Sequence, residues 1–256
     1  MIPKPSGSTS VNAGMGSASG WYRPLIEASE VRGRLRDKRV RKIDAVVSSS
    51  AGREPHEIVA SGYDVVAEDY AKLEGAVEWP RMRWLHNVLA VLTPGSRVLD
   101  IGCGSGIPAT REIAKEHDVV GVDVSARQIE LARHNVPGAE FVQADIETLD
   151  FPQASLDAVV AFYVLDHLPR ERHASVLERI HAWLKPGGLL LLTVETEDEP
   201  GVTGRWLGVE MFFSCFDADT TRRLIRDAGF ETIADAVETQ VEGEKEVPYL
   251  WVLGRT

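Results

Sequence analysis

Cysteine is scarce. The 256-residue chain holds only Cys103 and Cys215, too few for a disulfide framework or a cysteine-based zinc site. A reducing, cytoplasmic setting is the default for such a chain. Long hydrophobic runs are missing as well. The longest, residues 187–194, is far too short to cross a bilayer, so no membrane partner is expected. Residues 1–20 lack the apolar centre of a secretory signal. Positive charge is in deficit, with 28 Lys and Arg against 39 Asp and Glu and a formal net charge of -11. Nucleic acid is therefore excluded as a partner, because its phosphates need a basic face. No cluster of carboxylates and histidines has the spacing of a metal site, so no metal is expected.

What is present is ordinary globular material, 44% hydrophobic and 26% charged. Residues 1–20, rich in Ser, Gly and Pro, read as a disordered tail. Residues 21–92 read as an N-terminal helical extension. Its basic stretch, residues 31–43, reads as a solvated helix, and the extension is the candidate surface for a homo-oligomer. From His56 the pattern turns helical, with Val65, Val66, Tyr70 and Leu73 as its apolar positions. A second helix is expected over 82–92.

Residues 93–256 alternate strand and helix. Strands are expected at RVLDIGC, DVVGVDV, AEFVQAD, LDAVVAFYV and GLLLLTVE. Helices are expected over 109–116, 126–134, 172–183 and 217–228, the last capped by Asp217 and stopped by Gly229. Two final strands, 233–241 and 249–253, read as a hairpin at the sheet edge. This alternation predicts an α/β, Rossmann-like, doubly wound sheet.

The informative stretch is Asp100-Ile101-Gly102-Cys103-Gly104-Ser105-Gly106, at a junction of strand and helix. Ligands of parallel sheets lie outside the carboxyl ends of the strands. Glycine there opens backbone angles barred to other residues and lets a ligand approach the backbone. The helix N-terminus that follows offers N–H groups to an anion. The spacing G-x-G-x-G is one residue tighter than the dinucleotide fingerprint. Three acids fall at the ends of the first three strands. Asp100 is set to attract an ammonium group, and Asp123 to accept from ribose hydroxyls. Asp145, with Ile146 beside it, is set to accept from an adenine amino group. Val124, Ile146 and Phe162 would flank that ring, and Gln128 joins the same set from the helix after Asp123.

Taken together, VLDIGCGSG, VVGVDVSARQIELAR and FVQADIETLDF resemble the first three motifs of the class I SAM-dependent methyltransferases. LDAVVAFYVLDHL and WLKPGGLLLLTVE resemble that family's fourth-strand and post-helix segments. The match runs from 97 to 195 and more loosely to the end. It implies a seven-stranded sheet of order 3-2-1-4-5-7-6 with the seventh strand antiparallel. It also implies S-adenosyl-L-methionine (SAM) as cofactor, S-adenosyl-L-homocysteine (SAH) as product, and a small-molecule acceptor. GYDVVAEDYAKL resembles the helical lid of small-molecule members, which brings Tyr63 and Tyr70 to the methionine end. The Asn/Asp-Pro-Pro-Tyr signature of members acting on nucleic acid is not found.

Methyl transfer from a sulfonium needs mainly proximity and orientation, with a base where the acceptor must lose a proton. Tyr63, Tyr70, Trp84 and Tyr163 are aromatic candidates for facing the sulfonium. His167 is the candidate base, with Asp166 either orienting it or capping the next helix. Tyr163 and Glu195 complete the catalytic candidates. The insert 197–216, with Trp206, Met211, Phe212, Phe213 and Phe216, reads either as a wall for a hydrophobic acceptor or as a small satellite core. Cys103 and Cys215 read as packing residues. Two rival functions remain: a SAM-binding protein repurposed for another reaction such as a cyclisation, and an NAD(P)-dependent oxidoreductase.

Overall fold

The computed structural model describes residues 44–45, 52–76, 80–242 and 245–256. The expectations for 1–20, for the basic stretch and for oligomer formation through 21–43 lie outside the described residues. In chain order the elements are β1 (Asp44–Ala45), α1 (Pro55–Ala76), α2 (Arg81–Leu89), β2 (Arg97–Ile101), α3 (Ala109–Ile113) and β3 (Asp118–Asp123). Then come α4 (Ala126–Asn135), β4 (Glu140–Gln143), β5 (Leu156–Phe162), α5 (His173–Trp183), β6 (Leu184–Glu195) and β7 (Glu199–Trp206). The chain ends with β8 (Val209–Cys215), α6 (Ala218–Asp227), β9 (Glu231–Glu242) and β10 (Lys245–Arg255). Two 3₁₀ turns, Leu165–His167 and Arg170–Arg172, lie between β5 and α5.

The main sheet has seven strands in the order β4-β3-β2-β5-β6-β10-β9. Counted from β2, this is 3-2-1-4-5-7-6. β10 runs antiparallel to both neighbours, while β2 to β6 are parallel. β5 lies near the middle and is covered on both faces, which is why Ala158, Val159, Val160 and Ala161 are all fully buried. On one side Leu99, Ile101, Val159, Ala161, Leu190 and Leu192 pack against α5 and α6 residues such as Leu177 and Ile225. In a separate cluster, Ile129, Ala132 and Val136 of α4 and the turn after it meet Cys103 and Phe141. Gly121 makes room there, since a Cβ would stand 2.6 Å from the Phe141 ring.

Element ends follow local chemistry. Asp217 caps α6 by accepting from the Thr220 N–H at 2.8 Å, and Gly229 turns the chain out at φ +103°. Ser125 caps α4 through the Gln128 N–H at 3.1 Å. Several expectations are corrected. The helix expected over 109–116 is only Ala109–Ile113. The fourth parallel strand stops at Phe162, because Tyr163 turns to φ +60°. On α1, Ile58, Val59, Val66 and Ala67 form the buried stripe, whereas Val65 and Leu73 are exposed. Val65 lies just outside that stripe, and Leu73 lies near the helix end. The insert 197–216 stands outside the main sheet, as expected, and there β7 and β8 form a hairpin with β1 added beside β7. No helix among the described residues is long and apolar enough to cross a membrane.

His173, at the start of α5, is 1% exposed and holds the turn that carries His167. Its Nε2–H donates to the Leu165 carbonyl at 2.8 Å and to the Leu168 carbonyl at 3.3 Å. Burial lowers its pKa below the ordinary imidazole value, against the opposing pull of those two carbonyls. Native His173 therefore stays neutral while the unfolded chain takes up a proton as pH falls through about 6.5. Its contribution to stability is present above that pH and lost below it. Denaturant midpoints at about pH 7.5 and about pH 5.5 should show wild-type stability falling with acid. His173→Gln should flatten that slope; an unchanged slope would remove His173 as its cause.

Candidate active site

One cavity opens across the carboxyl ends of β2, β3, β4 and β5. It holds about 790 Å³ of atom-free space, its open mouth included. The loop after β2 forms its floor. Gly102 and Gly104 sit at φ +67° and +54°, where a side chain is strained. A Cβ on Gly102 would come 2.3 Å from the Val164 side chain. The turn after β3 is tied to this loop by Asp123, whose two carboxylate oxygens accept from the Gly104 N–H at 3.0 Å and the Ser125 N–H at 2.9 Å. Asp145, after β4, accepts from the Glu147 N–H at 2.9 Å, and its second oxygen lies 3.8 Å from His56 Nδ1.

The helix α1 roofs the cavity with His56, Val59, Tyr63 and Tyr70. It is fastened over α4 by Asp64, which accepts from Ser125 Oγ at 2.6 Å and the Arg127 N–H at 3.0 Å. Arg127 also bonds Glu68 through Nε at 2.8 Å. Tyr63 Oη lies 2.9 Å from His167 Nε2, and His167 Nδ1 lies 2.9 Å from the Phe212 carbonyl of β8. A carbonyl only accepts, so Nδ1 carries the proton and Nε2 takes the Tyr63 hydroxyl hydrogen.

Of the residues expected at the site, Tyr63, Tyr70, Gly102, Gly104, Asp123, Val124, Gln128, Asp145, Ile146, Phe162, Tyr163 and His167 all line the cavity. The others do not. Asp100 is 1% exposed and accepts from Thr110 Oγ1 at 2.6 Å; its strand position turns it toward α3. Gly106 packs on Ala132 and Val136. Glu195 is buried, with its N–H on Asp166 Oδ1 at 3.0 Å. Asp166 thus neither caps α5, whose N-cap position is Arg172 without a side-chain bond, nor bonds the His167 ring. Trp84 is stacked on Trp251 at 5.9 Å and donates to Glu238 at 2.8 Å, away from the cavity. The insert aromatics Trp206, Phe212 and Phe213 form a satellite core with Val59, Tyr63 and Met211. None of them lines the cavity, so they back Tyr63 and His167 rather than wall it.

The helix after the loop, α3, has only five residues. Arg81, a residue the motifs did not indicate, brings a positive charge to the cavity lining. Arg81 is 7% exposed, and its guanidinium carbon lies 5.9 Å from the Phe162 ring and 5.6 Å from the Tyr163 ring. Nothing local distinguishes it from a solvated helical arginine. Only the approach of α2 to the end of β5 reveals it. His56, Cys103, Val164 and Leu168 line the cavity too.

The donor set suits a nucleoside joined to an amino acid. It holds acceptors at Asp123 and Asp145, a cation at Arg81, and apolar side chains at Val124, Ile146 and Phe162. The buried Gln128 carboxamide, with no protein partner for either of its polar atoms, adds a donor and an acceptor. The residues present therefore fit SAM.

Residues 98–188 match the family model described as a methyltransferase domain. The 27-O-demethylrifamycin SV methyltransferase of Amycolatopsis mediterranei is 39% identical over 109 residues, 40% of this chain and 39% of that protein. The chain spans 62% or less of the length of the first curated relatives it matches. Among solved structures, 1,6-didemethyltoxoflavin-N1-methyltransferase of Burkholderia thailandensis, determined with SAH bound, gives a TM-score of 0.62 at 23% identity, covering 83% of this chain and 94% of that one. The [4+2]-cyclase SpnF gives 0.60 at 21% identity, covering 77% and 94%. Residues 98–188 thus match a methyltransferase domain, and the strand order agrees with what the resemblance to the class I SAM-dependent methyltransferases implied.

Proposed function

We propose that the chain transfers a methyl group from SAM to a small, ring-bearing, largely apolar metabolite. The observation that carries this reading is the meeting of Asp123, Asp145 and the Gly102–Gly104 loop in one cavity across four strand ends. SAM, when bound, supplies a methyl group already activated by its sulfonium. Asp123 would hold the ribose and Asp145 the adenine amino group, with Val124, Ile146 and Phe162 against the ring. Arg81 would take the methionine carboxylate, and Tyr163 would keep that guanidinium in place. Tyr63 and Tyr70 would present aromatic faces to the positive sulfur. The likeness to 27-O-demethylrifamycin SV methyltransferase and to 1,6-didemethyltoxoflavin-N1-methyltransferase supports a small-molecule acceptor, as in secondary metabolism.

The proton of a hydroxyl or N–H acceptor has a route out. As Tyr63 Oη takes that proton, its own passes to His167 Nε2, and the imidazolium so formed keeps its Nδ1–H on the Phe212 carbonyl. No net charge is left on Tyr63. This places His167 behind Tyr63 rather than against the acceptor. Glu195 has no part in this scheme.

A second reading, a SAM-binding protein that closes a ring without transferring methyl, is favoured by the likeness to the [4+2]-cyclase. Release of SAH in step with product separates the two. An NAD(P)-dependent oxidoreductase is disfavoured by the tighter glycine spacing and by Asp145; calorimetry with NAD against SAH tests it.

Asp123→Ala should weaken SAH binding by about tenfold or more in titration calorimetry, since a carboxylate takes charge-assisted hydrogen bonds. Unchanged affinity would take Asp123 out of the site. Tyr63→Phe keeps the ring and removes the proton carrier. Transfer of labelled methyl to hydroxylated ring compounds should then fall by about 10²-fold or more, with a much smaller change in SAH affinity. Equal turnover would refute the proton route.

A further inference from the structure

β9 is the outer strand of the main sheet, with β10 on one side and, among the described residues, no strand on the other. Thr239 lies opposite Pro248 of β10. The Pro248 carbonyl accepts from the Thr196 N–H at 3.2 Å, just past the end of β6, so it points away from β9. In an antiparallel ladder both members of such a pair turn their backbone groups away from each other. Thr239 therefore directs its N–H and C=O to the open side, and by the alternation of the strand Val237 and Val241 do the same. The side chains of these three residues share one face. Val237 and Val241 are 47% and 66% exposed, and Thr239 is exposed between them.

Folded proteins protect such an edge with proline, lysine, a bulge or charge. Residues 234–242 contain no proline, lysine or glycine, and the bulge of β9 sits earlier, at Ile233. The four carboxylates of the strand are held within their own chain. Glu231 accepts from Arg255 and Asp235 from Arg222. Glu238 accepts from Arg83 and Trp84, and Glu242 from the Tyr249 hydroxyl.

What fits this edge follows from its own order of residues. A twofold axis through Thr239 sets Thr239 opposite Thr239 of a second copy and Val237 opposite Val241. Glu238 then faces Gln240, and Glu242 faces Ala236, so no carboxylate meets another. Moving the axis to Glu238 sets two Glu238 side chains opposite each other, and moving it to Gln240 sets Glu238 opposite Glu242. Both are like-charge pairs, which destabilise a sheet. Moving it to Val237 brings the bulge at Ile233 against Val241. We infer that β9 pairs antiparallel with β9 of a second copy of this chain, over residues 236–242 and about an axis at Thr239. The two copies of Thr239 exchange backbone hydrogen bonds, Val237 and Val241 do so with each other, and two seven-stranded sheets become one. The cavity begins at β5, three strands in from this edge.

The test uses sedimentation velocity of the full chain over about 1–100 μM, a span that covers modest self-affinity. The wild type should shift to twice the chain mass as concentration rises. Thr239→Lys sets two ammonium groups opposite each other. It should sediment as a monomer throughout, with its far-ultraviolet circular dichroism unchanged. A wild type that stays monomeric at every concentration would overturn the inference. So would a dimer that Thr239→Lys leaves intact, because another surface would then join the copies. Should Thr239→Lys fail to fold, introduced cysteines read the register, since the native Cys103 and Cys215 are buried. With a short bifunctional maleimide Thr239→Cys should cross-link to itself, because directly opposite positions lie about 5 Å apart. Val237→Cys should not, as its two copies stand about 13 Å apart along the strand. Mixed with Val241→Cys, it should cross-link. Failure of Thr239→Cys to cross-link, or self-cross-linking of Val237→Cys to the same extent, would overturn the inference equally.

Discussion

Two hydrogen bonds to one side chain hold the site in shape. Asp123 ends β3, and its carboxylate oxygens accept the Gly104 and Ser125 N–H groups. The first bond reaches the loop after β2, and the second reaches the cap of α4. They form only because β2 and β3 pair in parallel with Ile101 opposite Val122, which brings the ends of both strands level. On the other side of β3, Gly121 leaves room for Phe141 of β4, whose ring would lie 2.6 Å from a Cβ there. The roof depends on the same corner, because Ser125, fixed by Asp123, is the group that Asp64 of α1 grips.

Much of this was legible in the sequence, and the gaps have physical causes. Alternating strand and helix texture was enough for a doubly wound sheet, the resemblance to the methyltransferases supplied its strand order, and the glycine loop and the acids after it pointed to Asp123 and Asp145. Those residues sit just past strand ends, where a motif and a position coincide. Asp100 shares the motif but lies inside β2, so the strand's own alternation sends it to Thr110. Arg81 was invisible for the opposite reason: it belongs to no motif, and its burial is created by the rings of Phe162 and Tyr163, about eighty residues later. The hairpin was hidden by composition. Aromatics clustered in residues 197–216 signalled burial without saying whether a ligand or another element did the burying. In the fold it is α1, through Val59 and Tyr63.

The charges of the cavity complement a zwitterionic ligand better than a phosphorylated one. Arg81 supplies one buried cation, and Asp123 and Asp145 supply acceptors two and three strands away from it across the sheet. A dinucleotide would place a pyrophosphate over the loop, where a helix dipole would ordinarily meet it. The five residues of α3 offer little of that. In the function proposed above, the anionic end of the ligand would meet Arg81, a side chain from outside the Rossmann-like core.

The hairpin supplies the corresponding control for proton chemistry. His167 and Phe212 are 45 residues apart, yet the Phe212 carbonyl decides which imidazole nitrogen bears hydrogen. With Nδ1 protonated, Nε2 can only accept, and Tyr63 is the hydroxyl within reach. Reversing the tautomer would leave the Phe212 carbonyl facing a lone pair, with Nε2–H donating to the Tyr63 oxygen instead. The arrangement is thus bistable in principle and settled by one backbone group. That group is itself fixed by the burial of Met211 and Phe213 on either side of it. In the proton route proposed above, β8, which contributes no residue to the cavity lining, would thereby set the direction in which the proton leaves.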